Sequence, residues 1–156
     1  MPTPEERLRE LGIELPQPAA PVAAYVPCVR SGDLLFVSGQ VPLVDGRPAW
    51  TGRLGAEGLG ADEGAAAAKV CAVNLLAALK AELGDLGRVR RVVKLTGFVA
   101  SEPGFTDHPK VVNGASNLFG EVFGEAGRHA RAAVGVAALP LGVPVEVEAI
   151  VEVAGE

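Results

Sequence analysis

The sequence predicts an α+β fold, a mixed β-sheet with two helices packed on one of its faces. Three observations carry that reading. Helical patterns at 61–87 and 107–124 are separated by one strand-like stretch at 89–101. Strand pairs bracket them, one at 25–43 and one filling 131–153. No internal repeat of solenoid period runs through the chain.

The elements follow in order. "TPEERLREL" opens a short helix: Thr3 caps it, Pro4 suits its first turn and Glu6 completes a capping box. The Pro/Ala connector "ELPQPAAPVAA" cannot be helical throughout. Residues 1–19 thus form a helical arm and connector, and 20–156 a single domain. "YVPCVRSGDLLFVSGQVPL" reads as a hairpin turning at Ser31-Gly32-Asp33. The Gly- and Asp-rich segment 43–61 offers one short strand. Ala72, Leu75, Leu76, Leu79 and Leu83 form the stripe of the first long helix, whose small residues imply close packing on a sheet. The second is capped by Asp107 and lays Val112, Ser116, Phe119 and Val122 or Phe123 on one face.

Composition excludes several functions. The chain has 156 residues, 49% of them hydrophobic, enough for one real core and too many for disorder. Net charge is -5 and aromatics make up 4%, which disfavours nucleic acid: the one basic cluster is "RVRR" at 88–91. Cys28, Cys71, His108 and His129 have no metal-ligand spacing, so no metal is expected. No apolar run of spanning length is evident, and "MPTPEERLRE" does not resemble a secretory signal; a cytoplasmic protein without membrane contact is expected. No nucleophile elbow, P-loop or dinucleotide fingerprint is present.

Charges inside apolar strands are more informative. Arg131 opens "RAAVGVAALPLGVPVEVEAIVEV" at 131–153, and Glu146, Glu148 and Glu152 share one face of its second half. An unpaired buried charge is costly and needs a partner or a ligand. A structural carboxylate or a wet strand end would satisfy Arg131, and a solvated face would satisfy the glutamates. Ile150 interrupts that face, which suggests that a second subunit covers it.

"YVP", "LLFVSGQVPL", "VVKLTGFVAS", "VVNGASNLF" and "RAAVGVAALPLGVPVEVEAI" together resemble the Rid (YjgF-like) reactive intermediate deaminases over roughly residues 20–154. The resemblance implies a chorismate-mutase-like fold and a homotrimer with sites in the clefts between subunits. It implies hydrolysis of 2-imino acids and enamines to 2-oxo acids and ammonia, without cofactor or metal. Arg131 then matches the arginine that holds the substrate carboxylate, and Glu146 the glutamate that positions or activates water. Tyr25, Ser38, Gly39 and Asn113 match residues lining the cleft. Ala133 stands where a cysteine is common, and Ala23-Ala24 where Gly-Pro usually precedes the tyrosine. Two other readings stand beside this one: a non-catalytic trimer that binds small carboxylates such as 2-oxo acids, and the endoribonuclease or translation-inhibitor role often attached to the family. The acidic charge opposes the last.

A geometric condition accompanies the pairing of Arg131 with Glu146. In a tight hairpin of 131–138 with 145–153, Glu146 would face about Ala137, leaving Arg131 roughly 20 Å along the strand. Either these strands are not neighbours or the pocket draws on two chains.

Overall fold

The computed structural model describes residues 1–18, 20 and 23–155, so the expected boundary at residue 19 and the terminal residue 156 lie outside it. Helix α1 spans Pro4–Glu10. The Thr3 hydroxyl accepts from the Glu6 N–H at 3.1 Å, and the Glu6 carboxylate accepts from the Thr3 N–H at 2.7 Å. Leu8 of α1 is buried in the core. The Glu5 carboxylate accepts from Lys80 Nζ at 3.1 Å and from the Leu86 N–H at 2.7 Å.

Strands β1 (Cys28–Ser31) and β2 (Leu34–Gln40) form the expected hairpin, with Gly32 at φ 61° in the turn. The segment 43–61 departs from expectation. It holds two short strands, β3 (Leu43–Val44) and β4 (Arg47–Pro48), paired with each other rather than one strand alone. Asp45 and Gly46 join them at φ 52° and 78°. Two consecutive left-handed residues give the turn whose twist matches its flanking strands, and Asp-Gly favours it.

Helix α2 covers Ala61–Leu83 and stops at Gly84, whose φ of 78° ends it. Strand β5 is Val89–Ala100, helix α3 is His108–Phe123, and strands β6 and β7 are Ala130–Val136 and Val145–Val153. The sheet order is β1-β2-β7-β5-β6, with β5 and β6 parallel and every other pair antiparallel. Strands β6 and β7 are therefore not neighbours, because β5 lies between them.

Both long helices cover one face of this mixed sheet, as expected, and α1 joins them as a third helix. Val111, Val112, Ala115, Leu118, Phe119 and Val122 form the buried side of α3. Ser116, expected among them, instead directs its hydroxyl to His129 and Arg131. Asp107 occupies the cap position of α3, but its side chain makes no capping bond. The small residues of α2 serve a helix contact as well as a sheet contact. A β-carbon on Gly114 of α3 would lie 2.8 Å from the carbonyl carbon of Ala65.

By length and apolarity α2 could cross a membrane, contrary to the expectation of no such run. Here ten of its residues, from Gly64 to Leu79, are buried within the fold. The other face of the sheet leaves Val29, Phe36 and Val134 exposed at 55%, 43% and 42%.

Candidate active site

The predicted residues fall into two groups, and strand register places them on opposite faces of the sheet. Buried Leu95 pairs with Arg131 on one side and Ala149 on the other, so Arg131 faces the helices. Phe98 pairs with Glu146, whose neighbours Val145 and Val147 are buried, so Glu146 faces away from the helices. Two strand spacings and three residues separate them, on the order of 14 Å between α-carbons.

Arg131, Asn113 and Ala133 form the first group. Arg131 Nη1 donates to Asn113 Oδ1 at 2.7 Å and to Ser116 Oγ at 3.2 Å, while Nη2 donates to the Pro109 carbonyl at 3.3 Å. A guanidinium has five N–H donors. These bonds take both hydrogens of Nη1 and one of Nη2. Among the described residues Nε–H and one Nη2–H are left, and Nε with Nη2 is the edge that a carboxylate takes side-on. Arg131 is half-buried, and Ala133, two residues along on the same strand face, adds only a methyl group beside it.

Glu146, Ser38 and Gly39 form the second group. Register slips between Val37↔Ala149 and Gln40↔Val147, so β2 carries one residue more than β7 at Ser38-Gly39. This β-bulge re-aims the strand. Glu146 lies against Gly39: a β-carbon there would stand 3.0 Å from the carboxylate carbon. The Ser38 hydroxyl donates to the Val26 carbonyl at 2.7 Å, tying the segment that carries Tyr25 to the bulge. Tyr25 itself is 50% exposed. Burial, and then the nearby Glu148, raise the carboxyl pKa of Glu146 above its ordinary 4.5.

Other chemistry finds less support. Both cysteines are free, and burial pushes the Cys28 thiol up to about 11 and Cys71 well above 9.0, so neither is a ready thiolate. Among the described residues, no three His, Cys, Asp or Glu side chains gather as metal ligands do. A cavity of about 330 Å³ between Arg53, Ser101, Phe105, His108 and Gly135 includes neither Arg131 nor Glu146.

Comparison with known proteins decides the family. Residues 5–153 match the family described as "YjgF/chorismate mutase-like, putative endoribonuclease". The chain belongs to the YjgF/chorismate mutase-like family. Protein TCP17 of Trypanosoma cruzi is similar, 56% identical over 146 residues covering 93% of this chain and 91% of that protein. A protein of unknown function from Agrobacterium tumefaciens is 53% identical, with TM-score 0.90 over 97% of this chain and 92% of its own. A structure named a putative endoribonuclease from Shewanella oneidensis is 38% identical, with TM-score 0.94 over 97% of this chain and 100% of its own. The mixed α+β sheet is thus the YjgF-like fold, as the strand signatures implied.

Within this YjgF-like chain, sequence reasoning missed Ser116, Pro109 and the part played by His129. His129 accepts or donates at both nitrogens: Nε2 lies 2.8 Å from Ser116 Oγ and Nδ1 2.6 Å from the Gly127 carbonyl. The available signal was spacing. Ser116 is three residues after Asn113 on α3 and so shares that residue's side of the helix, and His129 lies two residues before Arg131 in the chain.

Proposed function

We propose that this chain hydrolyses small 2-imino acids to 2-oxo acids and ammonia, in clefts formed between copies of itself. The observation that carries the reading is the guanidinium of Arg131, held at Nη1 and Nη2 with its Nε–Nη2 edge left for a carboxylate. Binding the carboxylate there fixes the imine carbon, and orientation supplies much of the rate.

The chemistry needs one further group, a carboxylate that can take and return a proton. Glu146 suits this because burial makes it more basic than an ordinary glutamate. On the protonated imine, Glu146 accepts a proton from water as the water oxygen bonds to the imine carbon and the C=N π electrons move to nitrogen, leaving a neutral amino group. The carboxyl then returns that proton to nitrogen. The C–N bond breaks, ammonia leaves with the electron pair, and loss of the hydroxyl proton gives the 2-oxo acid.

One chain does not bring these groups together, since Arg131 and Glu146 face opposite sides of the sheet. A homotrimer answers this, with Arg131, Asn113 and Ala133 on one wall of each cleft and Glu146, Ser38, Gly39 and Tyr25 on the other. The exposed Val29, Phe36 and Val134 support an apolar contact between copies. The endoribonuclease named in the family description has less support here. Net charge is -5, and the two histidines lie in separate networks, His108 with Ser101 and His129 with Ser116.

The test is ammonia release from 2-imino acids generated in situ by an amino-acid oxidase. The wild-type chain should accelerate it and Arg131→Ala should not. Binding of 2-oxo acids without acceleration would replace the enzyme by a carboxylate-binding trimer.

A further inference from the structure

The hydrogen bonds behind Arg131 run in one direction, which assigns roles to two residues outside the predicted site. His129 Nδ1 lies 2.6 Å from the Gly127 carbonyl, which only accepts, so Nδ1 carries a hydrogen. In the neutral ring Nε2 then offers a lone pair. The Ser116 hydroxyl, 2.8 Å away, donates to it. That leaves the oxygen lone pairs of Ser116 for Arg131 Nη1 at 3.2 Å. Each hydrogen has one destination, from the guanidinium back to the Gly127 carbonyl.

The far end of this chain is itself fixed. Gly127 is buried against α3, where a β-carbon would stand 2.8 Å from the Phe119 carbonyl carbon. The His129 ring also meets the Phe119 ring edge-on, with centroids 6.5 Å apart. Helix α3 therefore locates both Ser116 and the carbonyl that orients His129.

We propose that Ser116 and His129 are positioning residues for Arg131. They hold Nη1 so that the guanidinium cannot turn about its Nε–Cζ bond, and the Nε–Nη2 edge stays presented to a substrate carboxylate. His129 acts through Ser116: without the serine hydroxyl it has no bond to the arginine network. A guanidinium fixed in advance loses less freedom on binding, so the effect falls on carboxylate affinity. The inference rests on Arg131 as carboxylate anchor, and the test separates the two.

Ser116→Ala, His129→Phe, the double variant and Ser116→Thr would be compared with wild type in imine turnover, in 2-oxo-acid binding by calorimetry and in side-chain ¹⁵N NMR of Arg131. Phenylalanine keeps a ring against Phe119, and threonine keeps the hydroxyl. Ser116→Ala and His129→Phe should each raise KM and Kd by roughly three- to tenfold, leave kcat within about twofold, and not multiply in the double variant. Ser116→Thr should retain near wild-type affinity. The Arg131 Nη signals should show slow rotation in wild type and averaging in Ser116→Ala.

Unchanged affinity in folded Ser116→Ala and His129→Phe, or effects that multiply, would overturn the inference while leaving Arg131 as anchor. If wild type neither turns over imines nor binds 2-oxo acids, the functional reading fails instead. The NMR still decides positioning in that case: averaging in Ser116→Ala supports it, and slow rotation persisting there overturns it.

Discussion

The side chain of Glu146 lies across the α-carbon of Gly39, where β2 carries one residue more than β7. A bare backbone on β2 gives the carboxylate its place on β7. Gly39→Ala would put a β-carbon into overlap with Glu146 Oε2. The end of a glutamate side chain can swing aside, so the fold should survive with a melting temperature within about 5 °C of wild type. The displaced carboxylate should lower kcat/KM for imine hydrolysis by roughly 10- to 100-fold. Steady-state kinetics beside a thermal melt check this; unchanged kinetics would show that the position of Glu146 does not matter to turnover.

Gly114 faces a harder obstacle. A β-carbon there meets the backbone of Ala65 on α2, and backbone cannot rotate away. Gly114→Ala should force α2 and α3 apart and cost about 1–3 kcal/mol, the range for overpacking. Denaturant unfolding of the variant measures it directly. A neutral or stabilising result would mean that the two helices slide apart without loss.

The two glycines illustrate what the sequence tells and what it withholds. The stripe Ala72, Leu75, Leu76, Leu79 and Leu83 predicts a buried helix face, and the first four are buried with Leu83, at the helix end, only partly so, because a helical period is local. Asp45-Gly46 was equally local: the dipeptide favours the turn it makes between β3 and β4, yet strands of two residues leave no alternation to read. Strand order is different in kind. That β5 lies between β6 and β7 depends on pairings of residues 36 to 64 positions apart, such as Lys94 with Ala130 and Val89 with Val153, and no periodicity encodes them. The candidate residues could therefore be chosen by type and motif, while their division between two faces could not. Ser116 read as a core residue because Val112 and Phe119 share its side of the helix; the arginine that draws it outward lies fifteen positions away.

Glu146 also gives a pH-dependent prediction, cleanest in an Arg131→Ala background, where that guanidinium cannot offset the carboxylate's burial. Burial raises its folded pKa above 4.5. Above 4.5 and up to that raised value, the folded chain holds more protons than the unfolded chain, so stability falls as pH rises. The stability contributed by the protonated carboxyl is full below 4.5 and lost above the raised value. Glu146→Gln carries no charge at any pH and escapes this loss. In that background it should melt on the order of a few degrees higher at pH 7, with the pH-dependent advantage lost near pH 4. Melting curves of both chains across pH 4–8 check the sign. An advantage that grew on acidification would mean that folding lowers the pKa of Glu146.

The separation of Arg131 from Glu146 yields the most direct test of assembly. If each cleft takes its arginine from one chain and its glutamate from the next, Arg131→Ala and Glu146→Gln chains are each inactive but carry complementary halves. Denatured together in equal amounts and refolded, they should assort into mixed trimers. Random assortment gives an intact arginine opposite an intact glutamate in about one cleft in four. Activity should then recover to roughly a quarter of wild type, whereas the two variants refolded apart and mixed afterwards, without subunit exchange, should stay inactive. No recovery from demonstrably mixed trimers would mean that both groups act from one chain. That would require β7 or β6 to turn its face, since β5 now holds Leu95 against Arg131 and Phe98 against Glu146 on opposite sides of the same sheet.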